Sequence, residues 1–356
     1  MEHRLTVMKQ SRFFRERFRI LMQSMWGSLS KKAVILLYHR VFESSSDPQL
    51  LCVSPSRFES HLKHLRKYYN PISLTDLSQA LGEGRLPKRA VVVTFDDGYW
   101  DNYAFAKPLL ERYEIPATIF VTSDYVGRQC EFWWDEIERL LLASPCRMTH
   151  IELKVNGIER EWELLPPNAG LTSPALYPQW NVLAPADPTP LHSAYRDLQR
   201  FLRSLPSSQR EQALVQMREQ LEDDGTARPG YRPLSPEEVQ NFVSGSLFEI
   251  GAHSASHVVL SLQSESSQKA EIMSSRQQLE SLVGRQLYSF SYPFGGKEDI
   301  GSQAPALVEM AGYQVACANY PAAVTVSAER FVLPRYIVRD WNEEEFAHRL
   351  NSWFAS

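Results

Sequence analysis

The feature that most constrains this chain is a series of short, continuous apolar runs, each ending abruptly in polar or small residues. They are Ala33–Tyr38 (AVILLY), Ala90–Phe95 (AVVVTF), Ala117–Thr122 (ATIFVT), Leu247–Ala252 (LFEIGA), Leu287–Tyr292 (LYSFSY), Tyr313–Ala318 (YQVACA) and Arg330–Val338. Runs this continuous suit strands buried on both faces, as in parallel sheets. Helical patterns fall between them. Phe58, Leu62 and Leu65 form one apolar face, and Ile272, Leu279, Leu282 and Val283 form another that Gly284 would cap. Strands alternating with helices predict an α/β fold, here a distorted (β/α)7-type barrel. A length of 356 residues suits one such barrel with additions.

One region breaks the rhythm. Residues 131–232 hold no βα unit and are expected to form an insertion that caps or flanks the barrel, which itself spans 33–345. The insertion opens on an aromatic helix, Phe132-Trp133-Trp134-Asp135-Glu136. A hairpin follows, with Asn156-Gly157 as its turn, then a proline-rich stretch at 166–190 and one charged helical segment at about 192–223.

Net charge is −4, which argues against a nucleic-acid partner. The four cysteines, at 52, 130, 146 and 317, form no C-x-x-C and read as small buried hydrophobes. No stretch approaches the roughly 18–20 apolar residues that span a bilayer. Residues 1–32 read as a basic amphipathic helix: Phe14, Phe18, Leu21, Met22, Met25, Trp26 and Leu29 recur at helical spacing, with arginines beside and opposite them. Two readings stay open for it, peripheral membrane contact through residues 8–30 and packing against the domain or a partner subunit. With no secretory signal pattern, the expected location is cytoplasmic or peripheral at the inner membrane surface.

Reactive side chains stand where the buried runs end. AVVVTF leads into Asp96-Asp97-Gly98, FEIGA into His253-Ser254-Ala255-Ser256-His257, VILLY into His39, and YSFSY into Pro293-Phe294-Gly295. In an α/β barrel the carboxyl ends of the strands converge on one face, so these groups would share a cleft. Neither acidic nor histidine motif is specific alone. Nine histidines in 356 residues give roughly 0.2 H-x-x-x-H pairs by chance, and His61 and His64 read as an ordinary helix surface. Two imidazoles with one carboxylate do make a facial set that holds a metal and leaves positions open for water and substrate. One of Asp96 and Asp97 would bind the metal while its neighbour takes the proton of the attacking water. His39 is the candidate acid for the leaving amine, by strand-end position and accessible pKa.

With these motifs in this order the chain resembles the polysaccharide deacetylase family, the carbohydrate esterases that share a homology domain with nodulation chitooligosaccharide deacetylases. The resemblance covers roughly 33–130 and 230–340 and rests on Thr94-Phe95-Asp96-Asp97-Gly98 and His253-Ser254-x-x-His257. It implies that Asp96 is the catalytic base and that Asp97, His253 and His257 bind a divalent metal, zinc foremost, with cobalt or nickel as alternatives. Two departures stand out. The family's Arg-x-Pro-Tyr/Phe motif reads Ser291-Tyr292-Pro293-Phe294 here, so its base-orienting arginine is missing; Arg335 is the candidate replacement. Tyr292, Pro293 and Phe294 are expected near substrate, with the Phe294 N–H as oxyanion donor. The family's closing Leu-x-His occurs near the start, as Leu37-Tyr38-His39, which resembles a circularly permuted arrangement and implies His39 as the acid.

The expected function is metal-dependent removal of N-acetyl groups from sugar units of a poly- or oligosaccharide or glycan intermediate. The alternatives are an O-acetyl sugar esterase and a degenerate carbohydrate-binding protein.

Overall fold

The structure, a computed structural model, describes residues 32–143, 148–165 and 176–355. The expected N-terminal amphipathic helix lies outside the described residues. Seven parallel strands form the frame: β1 Lys32–Tyr38, β2 Ala90–Phe95, β3 Ala117–Val121, β4 Phe248–Ala252, β5 Ser289–Ser291, β6 Val315–Cys317 and β7 Tyr336–Ile337. Each pairs with its neighbours in parallel, in the spatial order β6-β5-β4-β3-β2-β1-β7. The sheet curls back on itself through its last segment: Leu333 bridges Cys317 of β6, and Tyr336 and Ile337 pair with Leu36 and Leu37 of β1. The result is the expected distorted (β/α) barrel.

The last apolar run yields only a two-residue strand. Pro334 interrupts it and has no N–H to donate, so the run splits its pairing between β6 on one side and β1 on the other. Elsewhere the buried runs become strands because both faces are covered. Val34, Leu36 and Tyr38 of β1 join the core that holds Phe58, Leu62 and Leu65 of the helix Pro55–Tyr68. On the opposite face, Ala33 and Ile35 meet Val92, Phe120, Val315, Cys317 and Leu333, contacts among distant strands that fill the barrel interior. Gly251 permits that filling, since a Cβ there would lie 2.4 Å from the Phe120 ring. The helix Glu265–Val283 ends as expected at Gly284, with φ of 68°.

The C-terminal part of the chain departs from expectation in two ways. The C-terminal helix Glu343–Ala355 runs past the boundary expected at 345 and buries Phe346, Leu350 and Phe354 in the barrel core. It also covers the helix face carrying His61 and His64, which is therefore not surface. His61 is 0% exposed; its Nε2–H donates to the Trp341 carbonyl at 2.8 Å, its Nδ1 lies 3.3 Å from the Tyr38 hydroxyl, and its ring stacks on Phe346 at 4.1 Å. Burial pushes its pKa down to about 4.

Residues 131–232 supply most of a second core. Phe132, Trp133, Trp134, Ile137 and Leu141 pack there with Ile151, Leu153, Tyr195, Leu198 and Met217. The hairpin pairs His150–Val155 with Ile158–Glu163 about Asn156 and Gly157, whose φ values are 49° and 77°. The expected single helical segment is two helices, Pro190–Ser204 and Ser207–Gln220. Pro206 separates them, forcing Leu205 into extended backbone with ψ of 146°. Tyr99, Phe294 and Leu51 of the barrel side join this core, so it packs against the ends of the strands. Among the described residues no helix is long and apolar enough to cross a membrane.

Candidate metal centre and its surroundings

At the end of β2 the backbone turns sharply. Asp96 extends the ladder, its N–H donating to the Tyr38 carbonyl at 3.0 Å, whereas Asp97 has φ of 73° and Gly98 φ of 88°. This left-handed pair sends neighbouring carboxylates to different partners. Gly98 is also close to β3, since a Cβ there would lie 3.2 Å from Val121.

The Asp97 Oδ1 faces two imidazoles, 3.4 Å from His253 Nε2 and 3.3 Å from His257 Nε2. One ligand atom from each of the three residues lies within 4.8 Å of the others, and all three residues are buried. His253 Nδ1–H donates to the Ser291 carbonyl at 2.8 Å, so Nε2 is the nitrogen turned toward Asp97. A ligating histidine is commonly oriented in this way. Two imidazole nitrogens and a carboxylate oxygen, converging in a buried pocket, fit a divalent first-row cation.

The turn between the histidines is held from outside. His257 has φ of 57° and donates its N–H to Ser254 Oγ at 3.0 Å. The Glu271 carboxylate accepts the N–H groups of Ala255 and Ser256 at 3.0 and 2.8 Å, and the Ser256 hydroxyl at 2.5 Å. From the second core, Arg210 donates to the carbonyls of Ser256 and His257 at 2.6 and 3.2 Å.

Asp96 has a different environment. Arg335 holds it with Nη1 to Oδ1 and Nη2 to Oδ2, both 2.7 Å. The other three N–H groups of the guanidinium go to the Ala318 carbonyl, Thr94 Oγ1 and Ser291 Oγ, so all five donors are used. Ser291, standing where the family motif has arginine, donates its own hydroxyl to Asp96 at 3.1 Å.

Electrostatics follow this geometry. Burial works to raise the Asp96 pKa, but the charge of Arg335 beside it outweighs that and holds the carboxyl below the usual range. Burial also opposes ionisation of Asp97, yet hydrogen bonds from His253 and His257 keep it far below the usual range. Burial lowers the His257 pKa to about 4, and the carboxylates of Asp96 and Asp97 overcome burial to raise that of His253.

His39 follows β1 directly, and its carbonyl accepts from Asn102 Nδ2 at 2.8 Å. Burial lowers its pKa, against the opposing charges of Asp97 and then Asp96. Phe294 has φ of 61°, its ring lies 4.8 Å from that of His257, and its carbonyl accepts from Asn319 Nδ2 at 3.0 Å. Among the described residues, none accepts from the Phe294 N–H. Pro293 is the buried residue that leads into this turn. Tyr292 departs from expectation. Its side chain is turned into the barrel core, and its hydroxyl donates to the Phe331 carbonyl at 2.8 Å. Ladder alternation explains this: with Ser291 aimed at Asp96, the next side chain points away.

Sequence reasoning missed a neighbour. The Trp134 ring lies 4.5 Å from His257. Its Nε1–H donates to the Tyr99 hydroxyl at 2.6 Å, which in turn donates to Asp135 at 2.6 Å. The aromatic run at 132–134 was visible, but which ring faces the histidine depends on how the helix docks.

The family model described as polysaccharide deacetylase matches residues 83–146 and 210–316. Across these residues the chain is similar to that family. The matched residues hold Asp96, Asp97, His253, His257 and Phe294; His39 and Arg335 lie outside them. Poly-beta-1,6-N-acetyl-D-glucosamine N-deacetylase of Staphylococcus aureus is 34% identical over 110 residues, 27% of this chain and 38% of that protein. The chain spans 38–49% of the length of the curated relatives it matches. The fold is shared with solved deacetylases. PplD of Streptococcus pyogenes, in complex with acetate, superposes with a TM-score of 0.55 at 15% identity, over 90% of this chain and 98% of that one. IcaB of Ammonifex degensii gives 0.53 at 15% identity, over 92% and 98%.

Proposed function

We propose that this protein is a divalent-metal-dependent deacetylase that removes N-acetyl groups from sugar units of a glycan, with β-1,6-linked N-acetylglucosamine as the first substrate to test. The observation that carries this reading is the division of labour between adjacent carboxylates: Asp97 faces two imidazoles, and Asp96 is held by a fully engaged guanidinium. A degenerate binding protein has no need of that division.

Asp97, His253 and His257 would hold the cation, which supplies Lewis acidity that eases deprotonation of water and polarises the carbonyl under attack. Asp96, kept ionised by Arg335, accepts the proton of the attacking water. Its Oδ2 lies 3.9 Å from His253 Nε2, close enough for base and cation to act on one water. The Phe294 N–H, aimed by its left-handed backbone, is the donor for the developing oxyanion. His39 gives a proton to the leaving amine, restoring a neutral product nitrogen and freeing acetate. Trp134 and Phe294 flank His257 with apolar surface and limit access of bulk water.

The test is acetate release by protein loaded with zinc, cobalt or nickel, from N-acetylated and O-acetylated oligosaccharides side by side. Release from the N-acetyl substrates, abolished by chelation, supports the reading. Release confined to O-acetyl substrates makes it a sugar esterase instead.

A further inference from the structure

A cavity of about 410 Å³ opens where the loop after β1 meets the second core. Its volume lies within the range of small-molecule sites. Four aromatic rings line it. Phe42 and Tyr231 meet edge to face at 5.5 Å, and Tyr177 and Trp180 each stand edge-on to the ring of His192, at 5.5 and 4.6 Å. Glu43, Glu138 and Arg228 are its charged groups, the last two paired with each other.

Two of these rings, Tyr231 and Trp180, are held in place. The Arg228 guanidinium lies 3.7 Å from the Tyr231 centroid, and the Tyr231 hydroxyl lies 3.2 Å from Ser44 Oγ. Trp180 Nε1–H donates to the Ala186 carbonyl at 3.3 Å. Rigid aromatic surface binds at little cost in conformational entropy.

The cavity's position ties it to the metal centre. Glu138 lies one helical turn beyond Trp134, roughly 6 Å along the axis, and Trp134 packs on His257. A narrower recess shares Glu138 and Tyr231 with the cavity and is also lined by Trp134 and Asp135.

We propose that this cavity is a sugar-binding subsite, taking a pyranose unit of the same glycan chain whose acetamido group lies at the metal centre. A pyranose presents C–H bonds on its faces and hydroxyls around its edge. Tyr177 and Trp180 match the faces, while Glu43, Glu138, Arg228 and the serine hydroxyls at 44–46 match the edge. Arg228 is already paired with Glu131 and Glu138, so a phosphate would find its charge compensated, and a neutral or amino sugar is favoured. Binding energy gained on a remote unit would favour longer chains over monosaccharide. The subsite rests on the deacetylase reading for its substrate class.

The experiment is calorimetric titration of the full-length protein with β-1,6-linked N-acetylglucosamine oligomers of increasing length, and with their deacetylated counterparts, alongside acetate-release kinetics. Tyr177 is 41% exposed, so its truncation leaves the core intact. Tyr177→Ala is expected to weaken binding of the longer oligomers about tenfold, to leave the monosaccharide unaffected, and to be rescued by Tyr177→Phe. Stronger binding of the deacetylated oligomers would identify the occupant as an amino sugar, and stronger binding of the acetylated ones as an N-acetyl sugar. Length-independent affinity, no binding at all, or binding indifferent to Tyr177→Ala overturns the subsite. Tyr177-dependent binding without acetate release keeps the subsite and removes the deacetylase reading. Acetate release independent of chain length and of Tyr177 does the reverse.

Discussion

Arg335 and Asp96 form two parallel hydrogen bonds of 2.7 Å, joining residues 239 positions apart in the chain. The same guanidinium binds Ser291, which occupies the motif position where the family carries arginine. The charge beside Asp96 thus comes from a different strand segment. Arg335→Lys keeps the charge but loses the fork. It is expected to lower kcat/KM by about 100-fold or more with metal content unchanged. Arg335→Ala additionally leaves a buried carboxylate unpaired, a loss of about 3–5 kcal/mol in stability, read by urea denaturation.

Metal binding is expected to stabilise the fold. With zinc at 100 times its dissociation constant the gain is about 2.7 kcal/mol. Urea denaturation with and without zinc measures it. The His257→Ala variant is expected to lose this increment along with stoichiometric zinc, while its metal-free stability stays close to that of the parent.

Glu271 touches no ligand atom, yet it fixes the turn that carries His257. Glu271→Ala is expected to weaken metal affinity roughly 10–100-fold, the usual effect of removing an outer-shell partner. Competition with a chelator of known affinity measures the change, and activity at saturating metal is expected to recover most of its parent value.

The runs that became β1 to β6 were legible because burial on both faces keeps them short, continuous and mostly apolar, a pattern that survives without knowledge of neighbours. The last run was less legible because Pro334 divides its hydrogen bonds between two strands. The strand-end position of Asp96, Asp97, His253, His257 and His39 was likewise readable. Residue types alone did not separate the two aspartates, since their separation depends on the left-handed backbone at Asp97 and on an arginine far along the chain. Arg210 and Glu271 support the histidine turn from 46 and 15 residues away, with no local pattern to mark them. His61 looked exposed because Trp341, which accepts its hydrogen bond, comes 280 residues later, just before the helix that covers it.

Asp135 gives the fold a pH dependence. Burial raises its pKa to about 7, against the nearby charge of Arg40. Between the unfolded value of about 4 and this one, the folded chain retains a proton that the unfolded chain has released. Stability contributed by this group therefore falls as pH rises through that window and is level above it. In Asp135→Asn the fall is expected to be smaller, so that stability of the variant relative to the parent is greater at pH 8 than at pH 4. Urea denaturation at the two pH values checks this.

The most direct test of the account separates the two neighbouring aspartates. Metal content and acetate release are measured together for Asp96→Asn and Asp97→Asn, using zinc-loaded protein and N-acetylglucosamine oligomers. Asp96→Asn is expected to bind zinc at parent stoichiometry and to release acetate at least about 100-fold more slowly; Asp97→Asn is expected to lose zinc and activity together. Full activity in zinc-loaded Asp96→Asn, or undiminished zinc binding in Asp97→Asn, would contradict the division of roles on which the account rests.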